Sequence, residues 1–467
     1  MRTFGLVMNA TDDTICALST PAGLGALGVV RITGSGALAA VRGMFRTLSG
    51  GALETQPERK AVLGQIWDSE ETVLDEVVGV YYKGPRSFTG EDTVEFSCHG
   101  SPYIVQRLLA MLTEAGCRLA EPGEFSRRAF LNGRVDLAQA EAIGDLIASE
   151  NAAMHRLAMR QMRGGFSSEL QRLRSELIDF AALIELELDF VEEDVEFAHR
   201  ERLRGLLDRL KREIGLLVDS FRTGSALREG IPVAIVGRPN AGKSTLLNAL
   251  LREDRALVSD VPGTTRDTVE EVRVLGEMKF RFIDTAGLRA TVDVVEAMGI
   301  ARTLEKAASA AVLVYLIDVR EAPEGGLQGL LDLEAQVGST PVLVALNKVD
   351  VADSAPWRLV LGERPTVELS AKTGLGLDPL TELLVSLARQ DLDTQAQIVV
   401  SNARHVSELR SALDALHAVS RGLDTALSGE FLAQDLRLSL YHLGRITGEV
   451  TSEDLLGSIF SRFCIGK

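Results

Sequence analysis

Gly237-Arg238-Pro239-Asn240-Ala241-Gly242-Lys243-Ser244 is the stretch on which the fold turns. It follows the apolar run Val233 to Val236 and leads into Leu246-Leu247-Asn248-Ala249-Leu250, so the local order is strand, loop, helix. That context makes the octet a phosphate-binding loop. Backbone N–H groups from Asn240, Ala241 and Gly242 into the helix start face phosphate oxygens, and Lys243 adds a point charge on the β and γ oxygens. Ser244 is the candidate Mg²⁺ ligand, and Thr245 follows it in the nucleotide-binding set.

Four more motifs follow in a fixed order. Thr264-Thr265-Arg266-Asp267 comes after Pro262-Gly263 and offers hydroxyls to the metal and the γ-phosphate. Asp284-Thr285-Ala286-Gly287 ends the strand-like run Phe280 to Ile283. Asp284 suits the Mg²⁺ water shell, and the Gly287 N–H suits the γ-phosphate. Asn347-Lys348-Val349-Asp350 ends a strand predicted over Val342 to Leu346. The Asp350 carboxylate accepts from guanine N1–H and the 2-amino group. Adenine lacks those donors and would leave the charge unpaired, so the set selects GTP over ATP. Ser370-Ala371-Lys372 closes over the base.

The residue after Gly287 is Leu288, where small signalling GTPases carry a water-orienting glutamine. Leucine cannot orient water, so another group must position it and neutralise transition-state charge. Asn240 has two readings here. It stabilises the loop, or its amide oxygen helps hold a monovalent cation that does the work of an arginine finger.

The chain has 467 residues, 46% of them hydrophobic, and a formal net charge of −16. The length suits about three domains. No run approaches the roughly 18 apolar residues of a membrane span. The longest, Ala310 to Ile317, stops at Asp318 and reads as a buried central strand. The acidic balance argues against nonspecific nucleic-acid binding, so any RNA contact is local or supplied by a partner. Cys16, Cys98, Cys117 and Cys464 lack metal-ligand spacing and point to a reducing, cytoplasmic setting. No secretion signal is evident, and either Met1 or Met8 serves as a start.

None of the 13 prolines falls between Pro122 and Pro232, and none follows Pro379. Both proline-free stretches show helical spacing. One begins with Leu137, Ala140, Glu141, Gly144 and Ile147, and continues with Leu170, Leu173, Leu177, Phe180, Leu183 and Ile184. The other shows Leu409, Leu413 and Leu416, then Leu432, Leu436, Leu440 and Leu443. The expected fold is therefore multidomain, α/β and α+β. An N-terminal α+β domain (1–130) precedes a discontinuous helical domain (131–225 and 392–467), into which a Ras-like P-loop GTPase domain (226–391) is inserted. The N-terminal part shows short β-like runs at Gly28 to Ile32, Val77 to Tyr82 and Thr93 to Ser97, and a helix around Leu108 to Leu112. The acidic run Glu185 to Glu196 reads as a solvated helix face or end.

Outside the nucleotide motifs, the sequence resembles the MnmE (TrmE) family of tRNA-modification GTPases. The likeness lies in Asp13-Thr14-Ile15-Cys16-Ala17, Thr20-Pro21-Ala22-Gly23, Arg31-Ile32-Thr33-Gly34, Ser87-Phe88-Thr89-Gly90-Glu91-Asp92 and His99-Gly100. It continues in Pro122-Gly123-Glu124-Phe125 through Asn132-Gly133 and in the ending Phe463-Cys464-Ile465-Gly466-Lys467. The resemblance implies a homodimer formed through the N-terminal domains, acting with the FAD-containing protein MnmG. Together they would place an aminomethyl or carboxymethylaminomethyl group at C5 of the wobble uridine (U34) of certain tRNAs. The one-carbon unit would come from a 5-formyl- or methylene-tetrahydrofolate. By motif matching, Arg31, Glu95, Arg134 and Lys467 fall at folate-contacting positions. The resemblance also assigns K⁺ to Asn240, Ser259, Val261 and Thr264, Mg²⁺ to Ser244 and Thr265, and orientation of the attacking water to Glu296. Cys464 is either an ordinary terminal thiol or a participant in the folate and tRNA chemistry. The competing readings are a ribosome-assembly GTPase, which would ordinarily carry a basic appendage absent here, and a GTP-gated folate module without a catalytic role.

Overall fold

The structure is a computed structural model that describes residues 13–68, 72–189, 198–252, 270–283, 310–338, 340–391, 398–425 and 427–466. Two compact units emerge: Met1–Ile147 with Arg160–Leu183 and Leu440–Lys467, and Ala148–Met159 with Ile184–Ser439.

The first unit opens with β1 (Ile15–Leu18), β2 (Leu27–Thr33), α1 (Ala37–Val41), β3 (Phe45–Thr47), β4 (Val62–Trp67), β5 (Val73–Tyr82) and β6 (Thr93–His99). It continues with α2 (Pro102–Glu114), β7 (Arg118–Leu119), α3 (Glu124–Leu131) and α4 (Leu137–Ile147). Its strands form one sheet in the order β3-β4-β5-β6-β2-β1-β7. All pairs are antiparallel except β1 with β7. Period-two alternation gives this sheet two unlike faces. Val30, Ile32, Val94, Phe96 and Val77 join Leu108 and Leu112 of α2 in one core, where the Phe45 and Phe96 rings stack at 5.4 Å. Arg31 and Glu95, one residue out of phase, are cross-strand partners on the other face.

All three β-runs and the helix expected in this region are present. The proline-free stretch is broken into separate helices: α4, α5 (Ala152–Met162), α6 (Gly165–Asp189) and α7 (Ala198–Asp219). Leu170, Leu173, Leu177, Phe180 and Ile184 of α6 are buried. Ile147 is 46% exposed although its helical spacing suggests a core position; it is the last residue of α4, whose buried residues stop at Ala142. Most of the acidic run, 190–197, lies outside the described residues.

In the second unit α7 and α8 (Phe221–Glu229) lead into β8 (Ile231–Gly237), α9 (Lys243–Arg252), β9 (Glu270–Leu275), β10 (Met278–Ile283) and β11 (Val312–Asp318). Then come α10 (Pro323–Val337), β12 (Val342–Asn347), α11 (Ala355–Leu361), β13 (Thr366–Leu369) and α12 (Leu377–Asp391). The six-stranded sheet runs β13-β12-β11-β8-β10-β9. It is parallel except for β9 at the edge. A parallel sheet covered on both faces needs continuous apolar strands, and all seven residues of β11 are buried. One face packs with Leu246 of α9 and Leu380 and Leu384 of α12. The other packs with Leu330 of α10 and Trp357 of α11. After the sheet come α13 (Ala403–Asp424), α14 (Gly429–Thr447) and α15 (Glu453–Phe460). Leu207, Leu210 and Ile214 of α7 and Leu409, Leu416 and Val419 of α13 are buried at helical spacing.

The first unit also holds a buried charge cluster. Arg118 grips Glu124 in bidentate fashion at 2.6 and 3.0 Å, Arg128 reaches the same carboxylate at 3.1 Å, and the Glu121 N–H donates to it at 2.9 Å. Burial works to raise the Glu124 pKa, but these donors prevail and hold it below the usual carboxylate value. The folded value thus lies below the unfolded one. The stability this group contributes is complete above about pH 4.3 and is lost as pH falls through the folded value. Glu124→Gln is expected to cost about 3 kcal/mol at pH 7 by stranding its arginines. In a urea-melt series from pH 7 to pH 3, the difference from wild type should shrink; a constant difference would count against the charged cluster.

Candidate functional site

Parallel strands all end on one edge of their sheet, and loops beyond the carboxyl ends hold the ligand in such folds. Four of the five nucleotide motifs follow this rule; Thr264 to Asp267 lies outside the described residues. Gly237 ends β8, Ile283 of β10 precedes Asp284, Asn347 ends β12, and Ser370 follows β13. Asp318 ends β11 opposite Asn347 in the strand register.

Asn347 ties the motifs together. Its side chain is buried, donating to the Ala241 carbonyl at 2.7 Å and accepting from the Ala371 N–H at 2.9 Å. One amide thereby fixes the phosphate loop against the loop that would cover the base. The fit leaves no spare volume: a Cβ at Gly242 would overlap Asn347 Nδ2, and Gly242 has φ of +104°. Lys348, at φ 71°, donates to the Asn240 carbonyl at 2.8 Å and pairs with Asp318 at 2.6 Å. Arg320 and then Lys348 hold the Asp318 carboxyl well below the usual carboxylate range, against the opposing pull of burial. Lys243 is folded over the loop, donating to the carbonyls of Gly237 at 2.7 Å and Arg238 at 2.9 Å. Ser244, Thr245, Asp350 and Lys372 are exposed along this edge, whereas Ser370 and Ala371 are buried.

The site therefore presents a lysine amine lying on the phosphate loop and, at Asp350, an exposed carboxylate for the base. Ser244, exposed at the first turn of α9, fits an Mg²⁺ that takes its remaining oxygens from phosphate and water. Asn240 adopts φ 63° and is exposed. Asparagine tolerates that left-handed backbone better than most residues, and its side chain is open to a cation on the solvent side of the loop. Ser259, Val261, Thr264, Thr265, Asp284, Gly287 and Glu296 lie outside the described residues. Asp318 was not singled out as a site residue. Its signal was present, as a carboxylate closing an otherwise apolar central strand.

A second candidate site lies in the first unit, on the sheet face carrying Arg31. Arg31 donates to Glu95 at 2.7 Å. Its guanidinium carbon lies 5.3 Å from the centroid of the Phe88 ring and 5.6 Å from that of Phe125, within cation–π range. The pair retains about a fifth of its side-chain exposure, 19% and 23%. A guanidinium and a carboxylate beside aromatic rings suit a planar heterocycle with N–H donors and an anionic tail. Arg134 is exposed, and its side chain packs at Gly90, two residues from Phe88. Phe88 and Phe125 lie in motifs already noted, but only the fold brings them together around Arg31.

The C-terminal ending docks in this same unit. The Gly123 N–H donates to the Cys464 carbonyl at 3.4 Å, and the Ser19 hydroxyl donates to the Gly466 carbonyl at 3.1 Å. Gly123, at φ 69°, must be glycine, because a Cβ would overlap the Phe460 carbonyl. Cys464 is exposed, while Cys16, Cys98 and Cys117 are buried; all four are free thiols. Lys467 lies outside the described residues. No described helix is long and apolar enough to cross a membrane.

Comparison with known proteins matches residues 14–134 to the N-terminus of the GTP-binding protein TrmE and residues 137–464 to the MnmE helical domain. The second match runs across the six-stranded sheet, so the helical domain is discontinuous and the P-loop GTPase domain is inserted in it. The tRNA modification GTPase MnmE of Christiangramia forsetii is 49% identical over 98% of this chain and 99% of its own length. The proteins of the same name from Flavobacterium psychrophilum and Cytophaga hutchinsonii are each 48% identical, over 97% and 99% of this chain and 99% of their own lengths. With its N-terminal, helical and GTPase parts all accounted for, the chain belongs to the MnmE (TrmE) family of tRNA modification GTPases.

Proposed function

We propose that the protein supplies the GTP-hydrolysing step of tRNA wobble-uridine modification. It acts with an MnmG-type FAD protein to place an aminomethyl or carboxymethylaminomethyl group at C5 of U34. The one-carbon unit comes from a 5-formyl- or methylene-tetrahydrofolate at Arg31, Glu95, Arg134 and Lys467. The observation that carries this reading is the meeting of distant motifs. The terminal Cys464 and Gly466 dock on Gly123 and Ser19, and Gly123 is two residues from Phe125, which lies against Arg31. A terminus fixed there is what a reactive Cys464 beside a folate would require. The segments 1–130, 131–225 with 392–467, and 226–391 would serve as the folate and dimerisation, helical and GTPase domains. The working assembly is a cytoplasmic homodimer bound to MnmG and tRNA.

In hydrolysis, Lys243 and the loop N–H groups bind and orient the β and γ phosphates, and Ser244 and Thr265 would hold Mg²⁺. Asp284 and Gly287 complete the γ-phosphate side. Glu296 orients the attacking water in place of the absent glutamine. Asn240, Ser259, Val261 and Thr264 would hold K⁺, which would supply positive charge to offset the negative charge that develops in the transition state. Asp350 reads the base while Asn347, Lys348, Ser370, Ala371 and Lys372 hold the loops around it.

Asp350→Asn tests the base reading. It should weaken GTP binding about 10–100-fold, the worth of charged hydrogen bonds, and improve binding of xanthosine triphosphate, whose 2-oxo group accepts from the new amide. Equal losses for both nucleotides, measured by fluorescent-nucleotide competition, would remove Asp350 from recognition. Hydrolysis should fall at least ~10-fold when K⁺ is replaced by Na⁺, and Asn240→Ala should abolish that difference; equal rates of phosphate release in the two salts with wild-type protein would end the cation proposal.

Deletion of the gene should remove C5-modified wobble uridine from total tRNA, and the intact chain should restore it. Cys464→Ser should leave GTP hydrolysis intact yet fail to restore the nucleoside. Nucleoside mass spectrometry decides both points. Unchanged nucleosides on deletion, with co-sedimentation on ribosomal subunits, would favour the ribosome-assembly reading. Loss of the nucleoside with full rescue by the serine variant would confine Cys464 to a structural role.

A further inference from the structure

The geometry points to Arg128, acting with Glu91, as a positioning residue that sets the aromatic clamp on Arg31 and thereby the affinity of that site for a pterin with an anionic tail. This rests on the folate reading above. Arg128 lies on α3, 5% exposed, and touches three separate stretches of chain. It donates to the Asp13 carbonyl at 2.9 Å and pairs with the Asp13 carboxylate at 2.6 Å. It pairs with Glu91 at 3.2 Å and with Glu124, one turn earlier on its own helix, at 3.1 Å.

Two of these attachments bear on Arg31. Phe125 lies three residues before Arg128, so it projects from nearly the same side of the helix. Glu91 belongs to the loop that delivers Phe88. That loop is also tied to its surroundings by Thr33 with Thr89 at 2.6 Å, Asn132 to the Thr89 carbonyl at 2.8 Å and an Arg86–Glu58 ion pair at 2.9 Å, and it is braced internally by Ser87 donating to the Glu91 carbonyl at 2.5 Å. Arg128–Glu91 is its charge-assisted link to α3. One helix thus presents one ring directly and holds the loop that presents the other. The spacing of the two rings around the Arg31 guanidinium follows from the Arg128 fork. Lysine keeps the charge at this position but cannot serve Asp13, Glu91 and Glu124 together, because it lacks the planar array of donors.

The test uses the full chain with 5-formyl-tetrahydrofolate as the probe, read by calorimetry. Fluorophenylalanine labelling lets the Phe88 resonance be followed by ¹⁹F NMR, assigned with Phe88→Leu. Arg128→Lys and Glu91→Gln should each weaken binding about tenfold, as loss of a supporting contact does, and should displace the Phe88 line. The Phe45 and Phe96 lines, in the core on the other face, should stay in place, and GTP hydrolysis should be unchanged. A purely structural Arg128 would shift the core lines too. If the wild type binds and Arg31→Ala abolishes binding, yet both variants keep wild-type affinity or an undisplaced Phe88 line, the positioning role is overturned. If the wild type does not bind the probe at all, the folate reading falls, and the Phe88 line alone decides whether Arg128 sets the clamp.

Discussion

The Asn347 amide is the constraint on which the nucleotide site depends. Each of its two polar atoms is committed to a different loop, the nitrogen to Ala241 and the oxygen to Ala371. An amide at this position therefore spaces the phosphate loop from the base-covering loop by the length of one side chain. Neither loop packs a core of its own. Their geometry comes from β8, β12 and β13, whose parallel register brings all three carboxyl ends to one edge. Lys348 repeats the connection on the next residue, joining Asn240 to Asp318. A buried polar network of this kind is useful when every member is satisfied and costly when one is removed. By that asymmetry, loss of the Asn347 amide would disturb the phosphate loop and the base-covering loop together.

The nucleotide half was legible because its chemistry is local. A glycine-rich loop between a β-run and a helical run states its own context within some fifteen residues, and β8 and α9 lie where those runs indicated. The buried character of β11 was equally plain, since parallel strands carry unbroken apolar sequence. Asp318 is less legible because its pairing with Lys348, a residue of the Asn347 to Asp350 motif, arises only from the β11–β12 register. Ile147 shows the opposite failure, where helical spacing continued past the end of the core that gave it meaning.

The Arg31 site was less legible, since it is assembled from four places in the sequence. Arg31 and Glu95 are 64 residues apart and become neighbours only through the β2–β6 register. The motifs containing Phe88 and Phe125 could be matched to a family, yet nothing in their spacing says that both rings flank one guanidinium. The docking of Cys464 on Gly123 is likewise invisible locally. In retrospect the left-handed glycine carries the signal, because Gly123 admits the Phe460 carbonyl where a Cβ would stand.

Charge placement joins these observations. The chain carries a net charge of −16, and arginines of its first unit are paired internally: Arg31 with Glu95, Arg118 with Glu124, and Arg128 with Asp13, Glu91 and Glu124. Such guanidinium groups contribute little to long-range attraction of a polyanion, because their partners cancel the field beyond a few ångströms. They serve as rigid, multi-pronged spacers, which suits arginine better than lysine. An acidic protein built this way gains nothing from nonspecific adhesion to RNA. Its encounter with tRNA must rest on particular contacts or on a partner's surface, and its internally paired arginines are free to act on the proposed Arg31 site as spacers, not as an electrostatic lure.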